Sequence, residues 1–391
     1  MANIAIFHPD ITRGGGGETV ALYVLDALVD DHSVTLYTAS DPDFETLSQQ
    51  YGVTVYDDDL TVKSVSSLPV SAIETLADVA SEWFQTDLHL DALKSAFIQR
   101  RVRLAELHYG LLISTANEFF IDGPSLQYIH FPTYTGSAES EYETWAPSLS
   151  YRLYRTVCRA VAGARSFDSS TTLVTNSQWT REIVQRSYDH PVEVVYPPVN
   201  VEDFDPNRDT QEAGFVTVGA IHESKRQLEL IEILDGLRNQ GIDTHLHIIG
   251  GVGSQSYYER VRDAATDRDY IHLEGYVDRE RLIDLIEQHQ YGLHGRKNEH
   301  FGIAVAEMVA GGAIPFVPDG GGQTEIINER PELKYHSTED AVQKITKVMT
   351  DTELQQNLRS DLESTVTEYS TDQFKRSIRS LVTELHNSRL W

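Results

Sequence analysis

Short apolar runs alternate with longer helical patterns through both halves of this chain, and this alternation limits its fold more than any other feature. A run such as Asn3–Phe7 or Gly214–Val218 has the length of one buried strand, and a segment with helical spacing follows it. Such alternation is typical of parallel sheets with crossover helices. Because 391 residues exceed what one hydrophobic core usually organises, we expect two α/β domains.

The expected strands fall into two sets. Those of the first half are Asn3–Phe7, Ser33–Tyr37, Leu111–Ser114, Leu126–Ile129, Thr172–Thr175 and Val192–Val195. Those of the second half are Gly214–Val218, Thr244–Ile249, Tyr270–Leu273, Tyr291–His294 and Ala313–Val317. The stretch from about Asp58 to Leu107 is interpreted as helices, since it lacks comparable apolar runs.

A proline-rich connection separates the two halves. Pro197, Pro198 and Pro206 interrupt regular structure before Gln211. We expect an N-terminal Rossmann-like domain over residues 1–200 and a C-terminal one over residues 201–370. The last helical pattern, residues 371–391, follows a complete second domain, so we expect it to pack back on the first.

The composition is strongly acidic, with 60 Asp and Glu against 32 Lys and Arg and a formal net charge of −28. Such a surface repels nucleic acid, and excess acid is typical of proteins that work in concentrated salt. We expect a halophilic archaeal cytoplasm, with an ordinary acidic cytosolic enzyme as the alternative. Cys158 is the only cysteine, so no disulfide forms within the chain. No apolar stretch approaches the roughly 18 residues of a membrane span, so we expect a soluble protein or one peripheral on a membrane.

Two carboxylates, Glu299 and Glu307, flank the start of a predicted helix at Gly302. Glu299 ends a loop after an apolar strand, and Glu307 lies about one and a half turns inside the helix. Each can accept hydrogen bonds from a different pair of hydroxyls, one pair on a transferred sugar and one on a ribose. Free N–H groups of the first helical turn suit a diphosphate. Gly302 permits close approach of the backbone to a ligand, and this favours a nucleotide-sugar site over two ordinary surface glutamates.

A run of four glycines, Gly14–Gly17, follows the first strand and precedes a helix. A dinucleotide-binding motif would need glycine at the position of Thr19 and an acidic residue at the end of the next strand, and neither is present. The run therefore does not predict an NAD site. We expect Gly15 and Gly16 to approach the donor diphosphate closely at the helix N-terminus.

Together these motifs resemble the family 4 retaining glycosyltransferases of the GT-B fold, from the first strand to the last helix. Within that family they are most similar to the α-1,2-mannosyltransferases of the dolichol pathway of N-glycosylation. The segments that carry the resemblance are Ile6–Pro9, Gly14–Glu18, Tyr128–Pro132, Thr175–Thr180, Val195–Pro198, Gly292–His294 and Asn298–Ile303. The resemblance implies two Rossmann-like domains that face each other across a cleft, with the C-terminal helix on the N-terminal domain.

The resemblance also implies residues that bind the donor. Glu299 would bind the hexose and Glu307 the ribose. The backbone amides that would bind the sugar and the phosphates are those of Phe301, Gly302 and Ile303. His130 would orient the donor sugar and stabilise positive charge through its carbonyl or its ring.

Phosphate-binding cations are implied as well. Lys225 matches the lysine of the family, but Ala220 stands where the family has arginine. The candidates to replace that arginine are Arg226, His222 and Arg296. The expected catalytic residues are therefore His130, Glu299 and Lys225.

Neither a metal nor another cofactor is expected. Lys225, a neighbouring cation and helix N-termini can stabilise a departing nucleoside diphosphate. Asp57–Asp59 is interpreted as an exposed acidic turn. His245 and His247 are interpreted as structural, because no nearby cysteine or third histidine completes a zinc set. Retention in the resembled family implies attack on the same face, with the departing phosphate as base.

A basic helix in the first half is the candidate acceptor region. Arg152, Arg155, Arg159 and Arg165 recur at helical spacing, with Leu149, Leu153, Val157 and Val161 between them. Such a helix suits a membrane surface or a lipid diphosphate, and an ordinary packed helix is an equal alternative. A second basic group is Arg100, Arg101 and Arg103.

The expected function is transfer of a hexose, of mannose or glucose type, from a nucleoside diphosphate sugar to a dolichyl- or polyprenyl-linked glycan. The expected location is the cytoplasm, peripherally on the cytoplasmic face of the plasma membrane. One alternative is a soluble transferase that makes a small glycoside or a compatible solute. Another is a nucleotide-sugar-binding protein without catalysis, which the alanine at Ala220 makes conceivable.

Overall fold

The computed structural model describes residues 2–65, 91–104, 109–134, 149–167, 169–206 and 211–387. The chain divides into two compact units. The N-terminal unit comprises residues 1–195 and 374–391, and the C-terminal unit comprises residues 196–373. The division lies slightly before the predicted boundary after residue 200, and the final helix begins in one unit and continues in the other.

The N-terminal unit contains a parallel sheet among its described residues. Its strands are β1 (Asn3–Phe7), β2 (Ser33–Thr38), β3 (Thr61–Ser64), β4 (Leu111–Ser114), β5 (Ser125–Ile129), β6 (Thr171–Thr175) and β7 (Val192–Val194). Its helices are α1 (Gly16–Leu28), α2 (Phe44–Tyr51), α3 (Asp91–Leu104), α4 (Leu149–Ala162) and α5 (Gln178–Ser187). The strand order is β3-β2-β1-β4-β5-β6-β7.

The C-terminal unit repeats this arrangement. Its strands are β8 (Glu212–Val218), β9 (Leu246–Ile249), β10 (Ile271–Gly275), β11 (His289–Leu293), β12 (Ile314–Pro318) and β13 (Lys334–Tyr335), in the order β10-β9-β8-β11-β12-β13. Its helices are α6 (Gln227–Asn239), α7 (Gln255–Thr266), α8 (Arg279–Glu287), α9 (Ile303–Ala310), α10 (Gln323–Ile326), α11 (Thr338–Thr350) and α12 (Thr352–Val366). The prediction of two Rossmann-like parallel-sheet domains is confirmed.

Both strand orders reverse direction beside the first strand of the unit. In the N-terminal unit the reversal lies between β1 and β4, and in the C-terminal unit between β8 and β11. Loops leaving the carboxyl ends of such a strand pair diverge to opposite sides and leave a crevice that binds ligands. These two places are therefore where functional side chains are expected.

The interpretation of Asp58–Leu107 as helices is wrong for one segment. Thr61–Ser64 forms β3, which pairs with β2 at the edge of the sheet. All four side chains of β3 are exposed, so no apolar run marks the strand. Residues 91–104 are helical, whereas residues 66–90 and 105–108 lie outside the described part of the chain.

The final helix, α13 (Thr371–Asn387), packs into the N-terminal unit. Phe374 lies in the core of that unit, where its ring centroid is 6.3 Å from that of Tyr128. Lys375 Nζ is 3.1 Å from Asp26 Oδ2 on α1, and Arg379 Nε donates to the carbonyl of Ala27. The apolar spacing of α13 and these polar contacts explain why the helix returns to the first sheet. Among the described residues, no helix is both long enough and apolar enough to cross a membrane.

Candidate functional site

Lys225 and Glu299 meet at the carboxyl ends of β8 and β11, where the strand order of the C-terminal unit reverses. Lys225 ends a short 3₁₀ helix after β8, and Glu299 lies in the loop after β11. Lys225 Nζ donates to Glu299 Oε2 over 2.7 Å. The Glu299 side chain is only 12 % exposed, so the two predicted donor residues form a largely buried ion pair.

Glu299 is held in its ionised form by three neighbours. Its Oε2 lies 3.6 Å from Nε2 of the buried His294, and its Oε1 lies 3.5 Å from Arg296 Nη1. Burial on its own would raise the pKa of Glu299, but His294, Lys225 and Arg296 together lower that pKa well below its ordinary value. The side chain is therefore an anionic hydrogen-bond acceptor throughout the physiological pH range.

The glycines after β12 hold the backbone of Glu299 in place. Gly322 N donates to the carbonyl of Glu299 over 2.8 Å, and Gly321 forms an isolated bridge with Glu299. Gly321 has φ 86°, and a Cβ at this position would lie 2.6 Å from the nitrogen and the carbonyl oxygen of Glu299. Gln323 extends the arrangement, since its amide donates to the carbonyl of Arg296. The glycine run Gly320–Gly322 thus lies in close contact with the backbone of Glu299.

Helix α9 presents its N-terminus next to Glu299. Gly302 is its N-cap with φ 107°. The first N–H groups of the helix, beginning with that of Ile303, have no intrahelical carbonyl to which they can donate. The ring of Phe301 is buried against Tyr196 and Tyr369. Phe301, Gly302 and Ile303 therefore occupy the turn that was predicted to bind an anion.

Glu307 does not contact Lys225 in the contacts the structure describes. Its Oε1 pairs with Arg279 Nη1, and Arg279 also binds Asp203 Oδ2 over 3.0 Å. Burial alone would lower the pKa of Arg279, but Glu307 and Asp203 raise it. Glu307 is thus a carboxylate on α9 that Arg279 orients.

Arg296 lies in the best position to supply the second cation. Arg226 adopts φ 56° and pairs with Glu229 on α6, so its guanidinium is engaged elsewhere. His222 accepts a hydrogen bond from Ser224 N and caps the 3₁₀ helix. Of the three replacements considered for the missing arginine at Ala220, only Arg296 has a described contact with Glu299.

His130 follows β5 in the N-terminal unit and is fixed by three polar contacts. Its backbone N–H donates to Asn117 Oδ1 over 2.8 Å, and its ring Nε2 donates to the carbonyl of Thr115 over 3.0 Å. Its own carbonyl accepts from Asn176 over 3.1 Å. Burial lowers the pKa of His130 to about 4, so the ring is neutral at pH 7.

The predicted glycine turn lies beside His130 in a recess of the N-terminal unit. Gly15 is the N-cap of α1 and Gly16 is its first residue. A Cβ at Gly17 would lie 3.7 Å from His130 Nε2. The lining of the recess includes His8, Gly17, Glu18, Thr115, Asn117 and His130. The glycine turn and the motif histidine, far apart in the sequence, are therefore neighbours.

A buried glutamate that the sequence analysis missed supports this recess. Glu118 is 0 % exposed and accepts hydrogen bonds from the backbone N–H groups of Thr133 and Tyr134 and from the Tyr188 hydroxyl. Burial raises the pKa of Glu118. An isolated carboxylate ahead of Phe119 has no sequence signature, because its partners come from distant segments. Its contacts fix the loop that follows His130.

The basic helix α4 contacts the same loop. Arg155 Nη2 donates to the carbonyl of Thr133 over 2.7 Å, and Arg159 donates to the carbonyl of Tyr134. The side chain of Arg152 lies outside the described residues. Leu153 and Val157 of this helix are exposed, by 66 % and 45 %. Two of the three predicted acceptor arginines thus bind backbone, while apolar side chains face outward.

Comparisons of its sequence and fold with known proteins show that the chain is similar to glycosyltransferases. The family described as "Glycosyl transferases group 1" matches residues 199–363. A GDP-Man:Man(3)GlcNAc(2)-PP-Dol alpha-1,2-mannosyltransferase from Dictyostelium discoideum is 23 % identical, and the match covers 83 % of this chain and 73 % of that protein. The protein of the same name from Homo sapiens is 22 % identical, with 98 % of this chain and 87 % of the relative covered.

Solved structures with the same fold cover nearly all of the chain. Anabaena HepE in complex with UDP superposes with a TM-score of 0.69 at 14 % identity, over 98 % of this chain and 100 % of the other. Sucrose-phosphate synthase from Thermosynechococcus elongatus gives a TM-score of 0.69 at 15 % identity and covers 100 % of each chain. Residues 199–363 are therefore similar to the glycosyl transferases group 1 family, and the chain has the GT-B fold of its glycosyltransferase neighbours.

Proposed function

We propose that this protein is a retaining hexosyltransferase that moves mannose, or a similar hexose, from a nucleoside diphosphate sugar to a polyprenyl-linked glycan. The observation that carries the proposal is the buried Lys225–Glu299 pair beside the N-terminus of α9. A carboxylate suits sugar hydroxyls, and an adjacent ammonium and helix N-terminus suit phosphate oxygens. The mannosyltransferase relatives support the choice of mannose and of a lipid-linked acceptor.

The residues of the C-terminal unit divide the work of donor binding. Glu299 accepts hydrogen bonds from hydroxyls of the transferred sugar, and Glu307, oriented by Arg279, accepts them from the ribose. Lys225, Arg296 and the N–H groups at the start of α9 face the diphosphate. Their charges stabilise the negative oxygens that develop as the diphosphate leaves.

Transfer proceeds on one face of the sugar. The bond between the anomeric carbon and the phosphate oxygen breaks, and a bond to the acceptor hydroxyl forms on the same face. The hydroxyl proton passes to the departing phosphate, so no side chain serves as base, and the acceptor oxygen attacks the anomeric carbon directly, so no side chain serves as nucleophile. Because Lys225 and Arg296 already supply positive charge, the reaction needs no Mg²⁺ or Mn²⁺.

The N-terminal unit is assigned to the acceptor. His130 is held rigidly and stays neutral, so it keeps the role that the resemblance implies, in which it orients a hydroxyl of the donor sugar without competing for its proton at pH 7. Exposed Leu153 and Val157 on α4, with exposed Arg100 and Arg101 on the adjoining α3, form a mixed apolar and basic surface. Such a surface suits peripheral contact with an anionic membrane on its cytoplasmic face.

A donor screen tests the proposal. The full chain is incubated at high salt with labelled GDP-mannose, UDP-glucose and related donors, together with dolichyl-linked glycan acceptors or, in separate reactions, small soluble acceptors. We expect transfer from one donor, an α-linked product by NMR, and no stimulation by Mg²⁺ or Mn²⁺. Transfer to small soluble acceptors alone would favour a soluble transferase. Donor binding by calorimetry without transfer or slow hydrolysis would favour a non-catalytic binding protein.

A further inference from the structure

Three histidines lie together at the amino ends of strands in the C-terminal sheet. His289 begins β11, His247 lies in β9, and His245 directly precedes β9. One ring nitrogen of each lies within 4.8 Å of a ring nitrogen of the others. The interpretation of His245 and His247 as lacking a third histidine nearby is therefore wrong, because His289 reaches them from a strand far along the sequence.

The pair His245 and His289 has the separation of two ligands on one metal ion. Their Nε2 atoms are 3.2 Å apart. Two nitrogens about 2.0–2.1 Å from a tetrahedral zinc ion are about 3.3 Å apart. His289 Nδ1 donates to the carbonyl of Leu285 over 2.5 Å, which leaves the lone pair on its Nε2 directed at His245. The outer hydrogen bond thus fixes the tautomer that metal binding requires.

His247 has an outer partner of the same kind. Its Nδ1 donates to Glu274 Oε1 over 2.8 Å, so its Nε2 keeps a lone pair. A carboxylate behind a histidine is the usual support of a metal-binding imidazole. Burial lowers the pKa values of His245, His247 and His289, the last to about 4, so neutral rings are available at pH 7.

Gly214 allows these rings to meet across an intervening strand. β8 lies between β9 and β11 in the sheet, and the ring of His245 lies over Gly214 of β8. A Cβ at Gly214 would overlap His245 Nε2. Gly214 has no positive φ, so the backbone conformation does not require glycine here. Its small size instead leaves room for the ring of His245.

We propose that His245, His247 and His289 bind a zinc ion, with a water molecule or the Glu212 carboxylate as fourth ligand. Glu212 Oε2 lies 3.5 Å from His245 Nε2, and Glu212 pairs in register with His289. Imidazole ligands suit zinc and its neighbours among the divalent transition metals. Arg238, Asp243 and Asp269 line the same recess; since Arg238 pairs with Asp243, the carboxylate of Asp269 is the one that favours cation entry.

The metal would connect β9 to β11 across β8 and take no part in sugar transfer. His289 begins β11, whereas His294 directly follows its last residue, so the cluster and Glu299 are separated by the length of that strand. Five residues of strand span about 16 Å. The site therefore stabilises the sheet that carries the donor-binding loops.

Metal analysis of the full chain tests the proposal. The protein is stripped with chelator, supplied with Zn²⁺, and analysed for bound metal after gel filtration, with Co²⁺ absorption as a reporter of four-coordinate nitrogen ligation. We expect one Zn²⁺ for each chain. His245→Gln and His247→Gln should each bind zinc at least about tenfold more weakly, and Glu274→Gln about 10- to 100-fold more weakly.

Two further variants make the test sharp. Gly214→Ala keeps every ligand but displaces His245, so we expect weaker zinc binding. His336→Gln removes an exposed histidine of the same unit and should leave binding unchanged. Circular dichroism confirms that each variant is folded. Wild-type protein that retains no zinc, or His245→Gln and His247→Gln variants that bind zinc as well as the His336→Gln control, would overturn the proposal.

Discussion

At the scale of single residues, the site depends on the balance of charge around Glu299. The carboxylate has lost most of its contact with water, and such a loss favours the neutral acid. His294, Lys225 and Arg296 reverse that preference. Because the same cations are assigned to the leaving diphosphate, Lys225 is preorganised by Glu299, the acid that we assign to the sugar. Removing the lysine should therefore impair both the chemistry and the geometry of Glu299.

The first prediction concerns Lys225→Gln. Loss of a preorganised charge opposite a developing anion typically costs about 10²- to 10³-fold in kcat, and we expect a loss of that size in transfer from the donor identified by the screen. Lys297→Gln, which removes an exposed ammonium two residues from Glu299, should retain activity. Steady-state kinetics of both variants are the measurement. Equal kcat values for the two would show that Lys225 does not face the leaving group.

The second prediction concerns the pH dependence set by His130. Its folded-state pKa of about 4 lies below the ordinary 6.5, so only the unfolded chain takes up this proton between those pH values. This contribution to stability is complete above pH 6.5 and declines as pH falls toward 4, by at most about 1.4 kcal/mol per pH unit. That figure is the limit for the uptake of one proton, and the partial exposure of the side chain lowers the expected dependence further.

Urea unfolding of wild type and His130→Gln between about pH 7 and pH 4 checks this dependence. The free energy of unfolding of the variant should fall less steeply with falling pH, while exposed His336→Gln should follow the wild type. A difference between wild type and His130→Gln that stays constant over this range would contradict the assignment.

Individual residues differed in how far the sequence could identify them. Lys225, Glu299 and His130 belong to local motifs, so their positions could be predicted. Their pairing partners could not, because Arg226 and His222 lie closer in sequence to Ala220 than Arg296 does, and because Glu118 binds loops brought together only by the sheet. His289 was missed for the same reason, since the register of β11 against β8 decides which side chains it meets.

At the scale of elements, the glycine run Gly320–Gly322 after β12 positions the loop that contains Glu299. Apolar runs predicted most strands to within two residues, since buried parallel strands are continuously hydrophobic. β3 was missed because it lies at the sheet edge with exposed side chains. The glycine run Gly320–Gly322 was visible in the sequence, but its role was not, because the backbone of Glu299 that it contacts comes from another loop.

The third prediction concerns Gly321→Ala. The new Cβ would lie 2.6 Å from backbone atoms of Glu299 and must displace the loop, so we expect weaker donor binding and lower stability. Gly241→Ala is a matched control, because Gly241 has φ +83° against +86° for Gly321 and nothing within 4 Å of an added Cβ. Calorimetry with the donor and urea unfolding measure both effects. A donor affinity equal to that of Gly241→Ala would contradict the role given to the turn.

At the scale of the whole molecule, the two sheets share their strand order over six strands and carry the candidate site residues at the same topological position. His8 and Thr115 follow β1 and β4, and Lys225 and Glu299 follow β8 and β11. The alternation of strands and helices was sufficient to predict two parallel sheets, whereas the strand order of each sheet was not predicted. The return of α13 to the first sheet was predictable from its apolar spacing and its position after a complete second domain.

The fourth prediction follows from the net charge of −28. Repulsion among surface carboxylates destabilises the compact state, and salt shortens the range of that repulsion from about 10 Å at 0.1 M to about 3 Å at 1 M. The free energy of unfolding should therefore rise with KCl over this range. Urea titrations followed by circular dichroism measure the increase, and a stability that is flat or falls with KCl would contradict a surface adapted to salt.

A charge variant separates screening from the general effect of an excluded solute. Asp57→Asn with Asp58→Asn removes two exposed carboxylates from an acidic turn, and we expect its stability to depend less on KCl than that of the wild type. Sucrose, which stabilises by exclusion from the surface and not by screening, should stabilise both proteins equally. If KCl also stabilised both equally, exclusion of the salt, and not relief of repulsion, would be the cause.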